Sequence, residues 1–188
     1  MTVPEYDGPA LGMVVDEDRG GLPYALIHGE SLIACAAWGL GDSGVTPIDF
    51  STAWAGVVDA GEPFVLHDAL CPMTPASFIT SCLAVAVESD TVVVAFRPVT
   101  DTVKAVADGF VGATIDRATL RQVASPIVLP SSAVLALDEL PTWDFALLAS
   151  ALGERFPVTW VEAPAAARRV ASPDDVRLLE ALTGSASD

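Results

Sequence analysis

The residues of this chain with the type and placement for chemistry begin at Asp68. The run Phe64-Val65-Leu66 is apolar, ends in the pair His67-Asp68, and is then broken by Pro72 and Pro75. Such a run predicts a buried strand whose carboxyl end presents Asp68 to a loop, and in open α/β sheets that edge is where ligands sit. An aspartate in this place either meets a ligand or caps the turn. Cysteine and histidine chemistry has no support in spacing. Cys35, Cys71 and Cys82 are an odd set without ligand intervals, and His28 and His67 are the only histidines, so neither disulfides nor zinc are expected.

Charge indicates which ligands the chain can hold. A net charge of −16 argues against nucleic acid and anionic membrane as partners, because both bind through clustered Lys and Arg. Residues 1–96 carry thirteen acids and one base, Arg19, whereas residues 97–188 carry twelve acids and eight bases, among them the single lysine Lys104. A site for an anion must therefore lean on the second half.

The elements that would position these groups follow from periodicity. Leu11–Val15 predicts a first buried strand, with residues 16–24 as the loop after it. Ser31–Gly41 predicts a helix capped by Ser31, and residues 50–58 a second one. A helix over 76–88 with Pro75 at its start leads to the β-branched strand Thr91–Phe96. Strand, helix, strand implies a parallel sheet with right-handed crossovers. Residues 102–106 and 111–115 alternate on either side of Asp108-Gly109, which is a hairpin signal. A helix over 143–156, a strand over 157–161, and a helix over 173–182 with Ser172 as N-cap complete the pattern. The length of 188 residues, with 52% hydrophobic and 18% charged content, fits one globular domain, 1–188, with a hairpin arm at about 100–117. No apolar run is long enough for a membrane span and Met1–Gly12 has no basic flank, so a cytoplasmic protein is expected.

Three motifs in order, HDALCPMTP (67–75), PVTDTVKAV (98–106) and DRATLRQVASP (116–126), resemble the 2-C-methyl-D-erythritol 4-phosphate cytidylyltransferase family. That family joins CMP from CTP to methylerythritol phosphate in non-mevalonate isoprenoid biosynthesis. The resemblance is clearest over residues 63–130. It implies a three-layer, Rossmann-like nucleotide-diphospho-sugar transferase fold of the α/β class, with a mostly parallel sheet and a protruding β-arm. It assigns catalysis to Asp68, Arg19 and Arg169, with Mg2+ held at Asp68. Thr102, Arg117, Ser125 and Arg169 would hold a small phosphorylated substrate, and Gly20, Gly21 and Ser51 would contact CTP. The arm implies a homodimer.

The same resemblance exposes departures. Where the family has a longer Gly-rich cradle with a Pro-Lys pair, this chain keeps Arg19, Gly20, Gly21 and Pro23 but has Tyr24 in place of the lysine and adds Asp16, Glu17 and Asp18. Two like charges about 4 Å apart repel by roughly 4 kcal/mol at an effective dielectric near 20, so these acids either weaken a triphosphate site or turn into water. Cys71 stands in place of an arginine, and Arg169 in place of a lysine. Ser51 is either the serine of a shortened base-recognition loop or a helix N-cap. Two functions follow: a cytidylyltransferase-like enzyme with an impaired CTP site, or a non-catalytic paralogue that binds a phosphorylated metabolite or a protein partner. Acids 16–18 turned outward, with Arg19 facing Asp68 across an open cleft, favour the first, and a cleft filled by Trp38, Trp54 or Tyr24 favours the second.

Overall fold

The computed structural model describes residues 6–99, the backbone of two strands at 103–107 and 110–115, and residues 120–184. Along the chain run β1 (Leu11–Val15), the short pair β2 (Leu26–Ile27) and β3 (Glu30–Ser31), α1 (Leu32–Asp42), β4 (Thr46–Pro47), α2 (Trp54–Ala60) and β5 (Phe64–Asp68). There follow α3 (Ala76–Ser89), β6 (Val92–Pro98), the ribbon β7 (Val103–Ala107) and β8 (Phe110–Ile115), β9 (Arg121–Leu129) and α4 (Ser131–Leu135). Then come α5 (Phe145–Gly153), β10 (Val158–Glu162) and α6 (Pro173–Gly184).

Six strands form one sheet in the order β10-β6-β9-β5-β1-β4, parallel except for β9. Side chains alternate across a strand, so β5 feeds two cores. Phe64 and Leu66 pack with Met13, Val15, Leu148 and Leu152 on the α5 side. Val65 packs with Leu40, Ile79 and Leu83 on the α1 and α3 side. Full burial of each such side chain is worth about 1.5–3 kcal/mol, and the result is a three-layer α/β sandwich.

The strand β5, the crossover helix α3 and the strand β6 keep the expected parallel course. β5 and β6 are not neighbours, because β9 lies antiparallel between them, Val65 facing Val128 on one side and Val93 facing Val128 on the other. This central strand contains Pro126, which has no N–H for a ladder, and the β6 register shifts between Val94 and Phe96 where the chain passes it. Proline ordinarily argues against a central strand, which is why β9 is absent from the sequence reading.

Helix ends differ for local reasons. Asp49 accepts both the N–H and the O–H of Ser51, a turn that delays α2 to Trp54. Asp144 caps Leu147 N at 2.9 Å, so α5 begins at Phe145. Ser31 caps α1 through Ala34 N at 3.3 Å, as expected. Among the described residues the ribbon strands β7 and β8 pair with each other, Val103 opposite Ile115.

This topology collects one edge. β1 and β5 end together, Val15 opposite Asp68, and antiparallel β9 begins there, Arg121 opposite Pro98 of β6.

Candidate active site

At that edge Asp68 is 1% exposed and saturated with donors. Its Oδ1 accepts Leu70 N–H at 3.0 Å and Arg19 Nε at 3.1 Å, and its Oδ2 accepts Arg169 Nε at 2.9 Å and Arg19 Nη2 at 3.4 Å. Two guanidinium groups around one carboxylate leave a net positive centre. A buried carboxylate is tolerated only when its charge and lone pairs are met in this way.

Each arginine is delivered by its own segment. Residues 16–19 close a tight turn, Arg19 N donating to Asp16 O at 3.2 Å with Asp18 at φ 58°, and this throws the Arg19 side chain inward. There it also donates to Glu17 O and to Trp143 O at 2.9 Å, lies 5.8 Å over the Phe145 ring, and is 5% exposed. Arg169 sits on the loop before α6, which is tied to the Asp68 loop by Val170 N donating to Leu70 O at 2.8 Å. Its side chain stays 31% exposed.

Behind Asp68 lies a polar pair. Ser125, expected to touch the substrate, is fully buried; its Oγ accepts the Asp68 N–H at 3.0 Å and bonds His67 Nδ1. It therefore orients the carboxylate backbone instead of facing the cleft. Burial lowers the pKa of His67 to about 4, against a smaller upward pull from Asp68, so the ring is neutral. Cys71, in place of the family's arginine, is buried, and burial foremost, then Asp68, pushes its thiol well above the ordinary range.

The other expected residues are placed as follows. Gly20 (φ 59°) and Gly21 are exposed, with no atom within 4 Å of where a Cβ would stand, so both face open space. Glu17 and Asp18 are exposed, and Asp16 accepts the Tyr24 hydroxyl at 3.2 Å. Tyr24 is 63% and Trp38 56% exposed, while Trp54 is edge-on to Phe64 and donates to Leu137 O. Tyr24 and Trp38 thus stand out into solvent, and Trp54 is packed on the core. Ser51 is exposed in its Asp49 turn, and neighbouring Phe50 packs edge-on against Trp143 at 5.1 Å. Thr102 and Arg117 lie outside the described residues.

For the expected Mg2+, Asp68 is the residue that would hold it, and both of its oxygens are at present taken by guanidinium groups, so ligation would require one arginine to be released.

Two cavities are lined by residues that Arg19 touches, Trp143 in one and Phe145 in the other. One, of about 250 Å³, is lined by Phe50, Trp54, Trp143, Met13 and Glu139 among others. The second, about 280 Å³, is lined by Arg121, Gln122, Asp144, Phe145 and Arg169. Arg121 and Asp144 escaped the sequence reading. Arg121 stood inside a quoted motif, but only the strand start at β9 puts it on this edge.

Residues 52–184 match the family model for 2-C-methyl-D-erythritol 4-phosphate cytidylyltransferase. That span includes Asp68, Ser125 and Arg169 and excludes Arg19, Gly20, Gly21 and Ser51. The chain is similar to enzymes of that name from Frankia casuarinae, 37% identical over 63% of this chain and 45% of the relative, and from Nocardia farcinica, 37% identical over 68% and 56%. The chain thus spans about half the length of the curated relatives it matches. Among solved structures, the enzyme of the same name from Thermus thermophilus overlays with a TM-score of 0.64 at 21% identity, covering 92% of this chain and 98% of that one. The 4-diphosphocytidyl-2C-methyl-D-erythritol synthase of Anaerococcus prevotii overlays with a TM-score of 0.66 at 13% identity, covering 94% and 96%, and at such identities the likeness is one of fold.

Proposed function

The chain belongs to the 2-C-methyl-D-erythritol 4-phosphate cytidylyltransferase family, and from that premise we propose a divergent cytidylyltransferase-like protein that binds a small phosphorylated acceptor and holds CTP poorly. In the family reaction a phosphate oxygen of the acceptor attacks the α-phosphorus of CTP, the bond to the β-phosphate oxygen breaks, and pyrophosphate leaves. Such transfers rest on positioning and on cations aimed at the developing charge.

The observation that carries the proposal is the state of Arg19. It is the single base of residues 1–96, and it is 5% exposed, turned away from solvent onto Asp68 and the Trp143 carbonyl. Glu17 and Asp18 turn into water, and the loop 16–24 is poor for a triphosphate through its want of a free cation, with Arg19 directed inward and Tyr24 in place of a lysine. Arg169 keeps part of its guanidinium open toward the second cavity, where an acceptor phosphate is served. Mg2+ carried with CTP would require Asp68 to release an arginine, so no step is routed through it. Pairing of two copies through the β7–β8 ribbon belongs to the same reading.

A second reading, retained transfer from CTP, has one observation in its favour. The aromatic cavity of Phe50, Trp54 and Trp143 beside Arg19 offers faces on which a planar base stacks.

Calorimetric titration separates the two. Binding of methylerythritol phosphate without micromolar binding of CTP plus Mg2+ is expected. Micromolar CTP binding, followed by turnover to CDP-methylerythritol, would establish the second reading.

A further inference from the structure

We propose that Arg121, together with Arg169, clamps the phosphate of the acceptor and selects a phosphorylated polyol over its unphosphorylated form. This rests on the acceptor-binding reading above and assigns its charge recognition to a named pair.

Both arginines line one cavity, with Gln122 beside Arg121 and the amino end of α5 opposite. Each is held by an anchor that leaves its charge usable. Arg121 is exposed, and its guanidinium carbon lies 5.1 Å from the centroids of both Phe96 and Trp160, a pair of cation–π contacts that anchor the side chain. It has no carboxylate partner among the described residues. Arg169 gives only its Nε to Asp68, whose charge is shared with Arg19, and its terminal nitrogens make no hydrogen bond among the described residues. Two preoriented guanidinium forks are the arrangement that binds a phosphate dianion through paired hydrogen bonds at low ordering cost.

The other wall sets what is attached to the phosphate. Asp144 lines the same cavity, and its carboxylate, which already accepts Leu147 N–H, repels a phosphate but accepts hydroxyl donors. The cavity is therefore polar in one sense, cationic at Arg121 and Arg169 and accepting at Asp144. Its volume of about 280 Å³ suits a short polyol phosphate.

The test is calorimetry on the full chain with methylerythritol phosphate, methylerythritol and inorganic phosphate, for wild type, Arg121→Gln and Arg121→Lys. The phosphorylated polyol should bind wild type, bind Arg121→Gln about tenfold or more weakly, and bind Arg121→Lys in between, with methylerythritol binding none of them measurably. Equal affinity in wild type and Arg121→Gln would overturn the clamp while leaving acceptor binding intact. Arg121-dependent binding of inorganic phosphate without any binding of methylerythritol phosphate would uphold the anion clamp and remove the acceptor assigned above. Wild type that binds neither phosphate would overturn the clamp outright.

Discussion

His67 shows how a residue beside the site stores a pH dependence. It is fully buried, bonded through Nδ1 to Ser125, and its Nε2 has no partner among the described residues. Its pKa is depressed from 6.5 to about 4 by burial. Between those values the unfolded chain binds the proton and the folded one does not, so stability is whole above pH 6.5 and is lost as pH falls toward 4. The gap corresponds to roughly 3 kcal/mol. In urea titrations at about pH 7.5 and pH 4, wild type should lose roughly 3 kcal/mol more than His67→Gln. Identical pH slopes for the two would show that the ring is not the titrating group. At this scale Asp68 was legible, because an acid that ends an apolar strand has few places to go but the sheet edge. Ser125 was not: its hydroxyl points inward only because β9 lies against β5, a long-range pairing that no local pattern encodes.

The elements place these side chains through close packing, and β1 shows how close. A Cβ built on Gly12 would stand 2.6 Å from Val45 Cγ1 and 3.0 Å from the Val65 carbonyl oxygen. Gly12→Ala must shift a strand backbone, and a loss of about 1–3 kcal/mol in urea unfolding is expected. Unchanged stability would mean that β1 and β4 yield freely at this point. The strands β1, β5, β6 and β10 and the helices α1, α3 and α6 were readable from their periods and caps. The starts of α2 and α5 were not, because Asp49 and Asp144 bond to the backbone just ahead and compete with helix extension. β9 was hidden by its proline, and with it Arg121.

Across the whole molecule, sheet order decides which charges meet. Arg19, Asp68, Arg121 and Arg169 come from four segments spread over 150 residues of chain and gather because parallel β1 and β5 end where antiparallel β9 begins. Among the described residues the ribbon β7–β8 pairs with no strand of the main sheet, and a two-stranded ribbon alone is marginally stable. A second copy of the chain is its proposed support. Sedimentation of the full chain should give a dimer, and replacing residues 103–115 by a short glycine linker should give a folded monomer. A monomeric wild type would remove the ribbon from that role.

What the sequence by itself determined was the family, the α/β class, the carboxylate at the end of β5 and the poverty of cations in the first half, since motif order, periodicity and charge are local or additive. Only the tertiary structure decided that Asp68 is spent on two arginines, that Ser125 stands behind it and that Arg121 lines one cavity with Arg169. Those are pairings between segments far apart in sequence, chosen by β9's insertion into the sheet and by the desolvation cost of leaving a buried carboxylate unpaired.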